Sequence, residues 1–188
     1  MPLYQNTGLN DSKNLVIGNY KIETSVYASA GGSHTWVNVG AGMVNSFNHQ
    51  IEKYDVQAGN APDPIKGISR ETFKISLELI ELDLSVMAAI SCGGLSYTSG
   101  ASVLTASGGG AAELTPIAFR LTNRRLISSV TKETIIIVPY ATIDNGLAVT
   151  AKSDNDANPI NVYPVEITGD IDGTRTVGSQ LYTITRDV

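Results

Sequence analysis

The stretch that decides the fold is FKISLELIELDLSVMAAI, residues 73–90, because its hydrophobic period changes partway through. From Phe73 to Leu79 every second residue is apolar and polar residues stand between them. That period is typical of a strand with one buried face. From Leu84 onward the apolar residues follow a helical spacing, and Asp83 is placed to cap the first turn. The stretch therefore predicts a half-buried strand that runs directly into one short helix.

The rest of the chain consists of short apolar runs separated by turn residues. Besides residues 73–79, we predict strands over residues 14–27, 34–39, 44–56, 116–121, 133–140, 161–168 and 180–186, and one helical turn over residues 141–147. Glycines 40 and 42 mark the break between the strands over residues 34–39 and 44–56. The expected fold is mainly β: an antiparallel β-sandwich or partial barrel with one short flanking α-helix.

The length and composition indicate one domain. A chain of 188 residues buries enough surface to fold without disulfides, and its one cysteine, Cys92, permits none within the chain. We divide it into an extended N-terminal arm, residues 1–12, and a single β domain, residues 13–188. Two segments interrupt the strand pattern: a long loop with prolines and glycines, residues 57–67, and a flexible Gly/Ser-rich insertion, residues 92–112.

The charge of the chain bears on its partners. The formal net charge is −5, and the residues from Ser153 onward carry −4 of it. Because Lys and Arg supply most of the affinity for phosphates, this balance argues against tight nucleic-acid binding. No apolar run approaches the ~20 residues that span a bilayer. We expect a soluble protein without a cleaved signal and without a membrane partner.

The residues that usually carry catalysis are few. His34 and His49 lie in strand patterns, no nucleophile-elbow motif accompanies them, and Cys92 lies in an apolar setting that favours a buried, unreactive thiol. The segments DNDANP (residues 154–159) and DIDG (residues 170–173) match a calcium loop only in part and predict two turns. We expect no enzyme activity, no cofactor and no metal.

Three arginines, Arg120, Arg124 and Arg125, form a small basic cluster in the sequence. Given the acidic balance of the chain, we predict that the cluster contacts an acidic neighbour or lies at a solvated edge, and that it does not bind nucleic acid.

The order of the segments resembles that of bacteriophage tail tube proteins, also called major tail proteins. Residues 47–67 lead through SRETFKISLELIELDL into the strand that passes straight into the short helix. The ending VYPVEITGDIDGTRTVGSQLYTITR has a strand, a turn-rich link and a final strand. The resemblance extends from Leu15 to Arg186, apart from residues 92–112.

The resemblance implies a structural virion protein. Such proteins form hexameric rings that stack into the tail tube, and neighbouring subunits pair strands around a lumen through which genomic DNA passes without specific binding. Further implied partners are the tape measure and terminator proteins, and the implied location is the virion after assembly in the host cytoplasm. The loop that reaches the next ring would contain Gln57, Gly59, Pro62, Asp63, Pro64 and Lys66. The candidate acids of the lumen are Glu71, Glu78, Asp154, Asp156, Glu166, Asp170 and Asp172.

Other functions remain open from the sequence. The inner tube of a contractile tail or secretion needle has a similar fold. A monomeric β-sandwich module that binds carbohydrate or decorates a capsid would need an exposed aromatic platform, for which Trp36, Tyr20 and Tyr27 are the candidates. An enzyme is a third alternative.

Overall fold

The computed structural model describes residues 18–30, 32–56, 65–80, 84–92, 95–99, 104–108, 114–127, 130–144 and 163–187. In chain order its elements are β1 (Gly18–Val26), β2 (Val37–Val56), β3 (Ile65–Leu79), α1 (Leu84–Ile90), β4 (Leu95–Ser99), β5 (Leu104–Gly108), β6 (Ile117–Ile127), β7 (Val130–Ile143), β8 (Tyr163–Gly169) and β9 (Thr183–Arg186). The predicted arm, residues 1–12, lies outside the described residues.

Six strands pair in a closed ring. β1 pairs with β2 and β6, β2 with β3, β3 with β8, β8 with β7, and β7 returns to β6. Every pairing is antiparallel, and β9 adds to the same edge of β7 that β8 uses. The predicted mainly β, antiparallel fold with one short helix is confirmed. We expected the strand edges to be covered by neighbouring subunits, but most of them are paired within the chain.

The core fills the space inside this ring. The strand predicted from residue 73 buries the apolar residues of its inner face, each no more than 3% exposed, namely Phe73, Ile75, Leu77 and Leu79. Opposite them lie buried apolar residues of β1, β6, β7 and β8, among them Ile22, Leu121, Ile136 and Ile167. The predicted helix is confirmed as α1, whose last residue, Ile90, joins the core. Its proposed cap, Asp83, lies outside the described residues.

The glycines at 40 and 42 do not interrupt β2, contrary to the prediction of two separate strands. Gly40 has a φ of 124° and lies beside the register shift between Ile22 and Glu23, where the extra residue of a β-bulge is accommodated. A Cβ on Gly42 would lie 2.6 Å from the Ile22 side chain and 2.8 Å from the Glu78 carbonyl oxygen. These glycines permit a bulge and close packing, so the strand continues through them.

Three other predictions are corrected. The helical turn over residues 141–147 is wrong at its start, because β7 continues to Ile143 and Ala141 pairs with both Ile117 and Gly169. The segment 92–112 contains the β4–β5 hairpin and is not only a loose insertion, since the alternating pattern of LSYTS and LTASG suits strands despite its small residues. The loop over residues 57–67 is shorter than predicted, because β3 begins at Ile65 and Lys66 pairs with Asp55.

Candidate assembly surface

Part of the β2–β3 pair extends beyond the closed ring. The β1 strand pairs with β2 no further than Val44, and β8 pairs with β3 no further than Phe73. Residues 50–56 and 65–72, called the ribbon below, therefore pair only with each other in the described part of the chain. At ~3.3 Å per residue the ribbon is about 20 Å long. Among the described residues neither outer edge of the ribbon is paired further, and backbone groups along an unpaired edge can bind another chain.

The ribbon exposes large apolar side chains. Ile51, Tyr54, Val56 and Ile68 are between 45% and 54% exposed. The Tyr54 ring lies over Gly67, since a Cβ on that glycine would stand 2.4 Å from the ring. An aromatic ring over a cross-strand glycine fixes the pair locally and holds Tyr54 at the surface. Contiguous exposed apolar residues of this kind mark interaction surfaces.

The ribbon also carries charges that its own chain does not use fully. Its register places Glu52 opposite Arg70 and Asp55 opposite Lys66. Arg70 instead forms an ion pair with Asp170 at 3.2 Å. Within the described residues neither Glu52 nor Asp55 has an ion-pair partner. These two carboxylates can accept hydrogen bonds from a partner without giving up an ion pair to any described residue of their own chain.

The base of the ribbon is fixed to the core by stacked rings. Phe73 stacks between Phe47 at 6.2 Å and Tyr182 at 4.1 Å, measured between ring centroids. Tyr182 also meets His49 edge to face at 5.6 Å, and His49 lies 3.9 Å from the Glu71 carboxylate. A firmly held base and an exposed outer part make the ribbon suitable for presenting a fixed surface to another molecule.

The residues predicted for the ring-stacking loop divide between described and undescribed positions. Lys66 is a strand residue of the ribbon. The other five, Gln57, Gly59, Pro62, Asp63 and Pro64, lie outside the described residues. The sequence did not identify the flanking strand residues as a surface. The sequence did contain a signal for an exposed strand. Residues 49–56, HQIEKYDV, place polar or charged residues on both faces of the strand, whereas residues 73–79 place them on one face.

Two of the predicted lumen acids come together on one face. Glu78 pairs with Pro164, and Ser76 pairs with Glu166, so the two glutamates are diagonal neighbours on the outer face of β3 and β8. Glu71 points to the opposite face, toward His49. Asp170 is held by Arg70, and the predicted acids Asp154 and Asp156 lie outside the described residues.

Asp172 is not a lumen acid, because its residue is only 2% exposed. Its Oδ1 accepts hydrogen bonds from the Tyr27 hydroxyl at 3.0 Å and from the Thr174 amide and hydroxyl at 3.0 and 2.6 Å. Its Oδ2 accepts one from Arg175 Nε at 2.9 Å. Burial raises the pKa of this carboxyl, but the hydrogen bonds from Thr174, Tyr27 and Arg175 outweigh it and hold the pKa below its usual value.

His34 completes this buried network. Arg175 Nη2 donates to the Ala28 carbonyl at 3.3 Å and approaches His34 Nε2 at 3.1 Å. Since a guanidinium has only donors, Nε2 accepts and the ring is neutral with its proton on Nδ1. Nδ1 is buried without a hydrogen-bond partner among the described residues. Burial and the charge of Arg175 lower the pKa of His34, against smaller opposing effects of the Val26 carbonyl and Asp172.

The remaining predicted groups have structural surroundings. Cys92 is buried, and burial raises the pKa of its thiol. Arg120 and Arg124 contact acidic neighbours as predicted, Glu23 at 2.7 Å and Glu133 at 2.6 Å. The hydrogen bond from Arg120 lowers the pKa of Glu23. In the part of the chain that is described, no three Asp, Glu, His or Cys residues cluster as metal ligands.

The aromatic platform that a binding module would need is not formed. Tyr20 is 1% exposed and belongs to the core. Tyr27 packs edge to face on Tyr140 and donates to Asp172. Trp36 is covered by His34 on one side and by the Arg120 guanidinium, 4.7 Å from the indole ring centre. The three rings predicted for the platform thus belong to separate packing contacts.

No helix within the described ranges has the length and apolar character needed to cross a membrane.

Comparison of the sequence with protein families and with curated proteins identified no relative. The chain matches none of the protein-family models against which it was compared, and no curated protein matches its sequence.

Proposed function

We propose that this chain is a structural subunit that assembles with copies of itself into stacked rings, as in the tail tube of a bacteriophage, and that it is not an enzyme. The ribbon is the observation that carries the proposal. It projects beyond a closed, well-packed ring of strands and combines free strand edges with four exposed apolar side chains. Such a surface suits a partner that is always present at high local concentration. A second copy of the same chain is such a partner.

The tail-tube form of the proposal rests on the segment order of the sequence. It includes hexameric rings, contacts with tape measure and terminator proteins, and a place in the virion. The outer face of β3 and β8 is the candidate lumen wall, because Glu78 and Glu166 lie there among polar residues such as Ser76. Negative charge on that wall would repel phosphates and let DNA slide.

Electron microscopy of the purified protein tests the assembly. We expect rings or tubes from the unmodified chain. The variant Ile51→Ser, Tyr54→Ser, Val56→Ser, Ile68→Ser should remain a folded monomer. Its control replaces exposed valines away from the ribbon, Val26→Ser, Val130→Ser and Val177→Ser, which are between 54% and 93% exposed, and should still assemble. A monomeric unmodified chain at all concentrations would contradict the proposal.

The lumen is tested separately with Glu78→Lys, Glu166→Lys. If tubes form, they should retain short DNA at low salt and release it as salt rises, because phosphate contacts weaken steeply with ionic strength. Glu71→Lys, on the opposite face, is the control and should not retain DNA. DNA retention that does not change with salt concentration, or that is equal in the Glu71→Lys control, would argue against a lumen at this face.

A further inference from the structure

A groove on the outer face of β1, β2 and β6 has chemistry that complements the ribbon. It has a volume of about 560 Å³ and is lined by Asn19, Lys21, Asn38, Gly40, Thr122 and Arg124, among others. Gly40 and the neighbouring Ala41 add little bulk to its lining, and Tyr20, which also lines it, is directed into the core and is only 1% exposed. The groove is therefore open to bulky side chains such as Tyr54.

The cations of the groove retain donors for a second acid. Lys21 contacts Glu23 and Arg124 contacts Glu133, and their side chains are 54% and 71% exposed. An ammonium has three N–H donors and a guanidinium has five. Among the described residues, Lys21 contacts an acid once through Nζ, and Arg124 does so through Nε. Both cations can therefore bind a further carboxylate at the exposed side.

We infer that the ribbon of one copy docks in this groove of another copy, with Glu52 and Asp55 of the ribbon at Lys21 and Arg124 of the groove. This inference rests on the proposed self-assembly. The charges of the two surfaces are opposite. The two ribbon acids are also available, because they have no ion-pair partner in the described part of their own chain. At the same time the apolar side chains of the ribbon would be removed from solvent, because they would pack on the shallow floor of the groove.

A second cleft is a poorer receptor. It is lined by residues of the 24–28 and 33–37 segments with Ala89 and Ile117, about 380 Å³ in volume, and none of its lining residues is charged. Docking there would remove the two ribbon carboxylates from water without a cation to compensate, which disfavours association. Charge thus selects the groove.

The contact must be between molecules, because the ribbon and the groove use distant parts of one strand. Gly40 and Tyr54 both belong to β2, and an extended strand separates them by about 45 Å at ~3.3 Å per residue. A contact between two different surfaces of identical copies either closes reciprocally in a two-fold dimer or runs head-to-tail, and repetition of the head-to-tail form generates a ring or a helical filament. The head-to-tail form of the inferred docking is the one that the proposed rings and tubes require.

Cross-linking between two variants, each with one added cysteine, tests the docking. Copies with Asp55→Cys are mixed with copies with Asn38→Cys at a concentration where both variants assemble, and are oxidised mildly. We expect a covalent dimer in the mixture and none with either variant alone. The control mixture replaces Asp55→Cys by Val177→Cys, at a turn outside the ribbon, and should stay uncross-linked. Buried Cys92 does not take part.

The failures of the two proposals give different results. If assemblies form and the mixture gives no covalent dimer, or Asp55→Cys cross-links to itself, the groove is not the receptor and self-assembly stands. If the unmodified chain never assembles, both proposals fail. Charge reversal gives a second test: Asp55→Lys and Arg124→Glu should each raise the concentration needed for assembly about tenfold, and the two changes in one chain should recover most of the loss. Additive losses would overturn the pairing.

Discussion

The same two strands, β2 and β3, serve the molecule in two different ways. Between residues 73 and 79, β3 pairs on both sides and alternates buried apolar with outward polar residues. Between residues 65 and 72 its one pairing partner in the described part of the chain is β2, and Ile68 is 54% exposed. Stability is therefore concentrated in one part of the pair, and the surface available to a partner in the other. Substitutions in the two parts should separate folding from assembly.

The largest effect on stability should come from Ile75→Ala in the ring. Ile75 is 1% exposed and belongs to the core, so its truncation leaves a cavity and should lower the free energy of unfolding by about 2 to 5 kcal/mol. Ile68→Ala, the same change on the same strand in the ribbon, should alter it by less than ~0.5 kcal/mol. Thermal unfolding monitored by circular dichroism compares the two. Equal losses would mean that the ribbon is part of the folding core.

The next largest effect should come from Asp172→Ala. The change removes four hydrogen bonds and leaves Arg175 Nε and the Tyr27 hydroxyl without the carboxylate that accepts from them. Leaving such groups unsatisfied costs about 1 to 3 kcal/mol. Asp170→Ala, two residues away, removes only the exposed pair with Arg70 and should cost ~1 kcal/mol or less. Chemical denaturation measures both, and a loss for Asp172→Ala no larger than its control would show that the network is dispensable.

The sequence predicts the part of β3 in the ring better than the part in the ribbon, for a physical reason. Strand 73–79 has a buried face, and burial imposes the period of two that identifies both the strand and its core residues. Apart from Thr72 at its base, the ribbon residues whose burial is described are exposed or half-buried on both faces, so they follow no such period and were divided between a strand and a loop. Exposed apolar residues such as Tyr54 and Ile68 are visible in the sequence, but their exposure depends on where the ring ends.

The Asp172 network shows a second limit of the sequence. DIDG indicated a turn, which is correct, but Tyr27 and Ala28 lie about 145 residues earlier in the chain, and no local pattern reports that they meet this turn. Asp172 was therefore grouped with exposed acids. No local pattern reports that Glu78 and Glu166 are neighbours either, because their proximity depends on the register of β3 and β8.

A smaller effect is expected from acid through His34. Its pKa is lowered in the folded protein, so the unfolded chain binds the proton more readily. The stabilising contribution is complete above the ordinary histidine pKa, about 6.5, and declines as the pH falls below it. Protonation would also put a second cation beside Arg175, at the 3.1 Å contact. The free energy of unfolding should fall as the pH drops below about 6.5.

His34→Gln should reduce that dependence, because glutamine does not titrate. Asp172 contributes only at lower pH: its pKa is also lowered, so its contribution is lost below the ordinary carboxyl range. A fall in stability that begins only at pH 4 in the unmodified chain would exclude a role for His34.

The smallest effect on stability is expected from shortening the β2–β3 connection, although the change should still affect assembly. Val56 and Ile65 are the last paired residues of the ribbon, so an Asn-Gly turn can replace residues 57–64 without changing the register. Shortening the connection from eight residues to two lowers the entropy cost of closing it by about 1 kcal/mol at most. The subunit should therefore unfold at an unchanged or slightly higher temperature. If this connection reaches the next ring, as the resemblance implies, rings should form but should not stack into tubes.

Sedimentation and electron microscopy distinguish the contributions of the connection and of the ribbon to assembly. The quadruple serine variant of the ribbon lacks the apolar side chains proposed for docking and should give monomers, whereas the Asn-Gly variant keeps those side chains and should give isolated rings. Tubes of normal length from the Asn-Gly variant would show that the ribbon strands alone mediate stacking. Monomers from both variants would mean that ring formation also needs residues 57–64. An unfolded Asn-Gly variant would place that connection in the core, and the contrast between the closed ring and the ribbon would then be wrong.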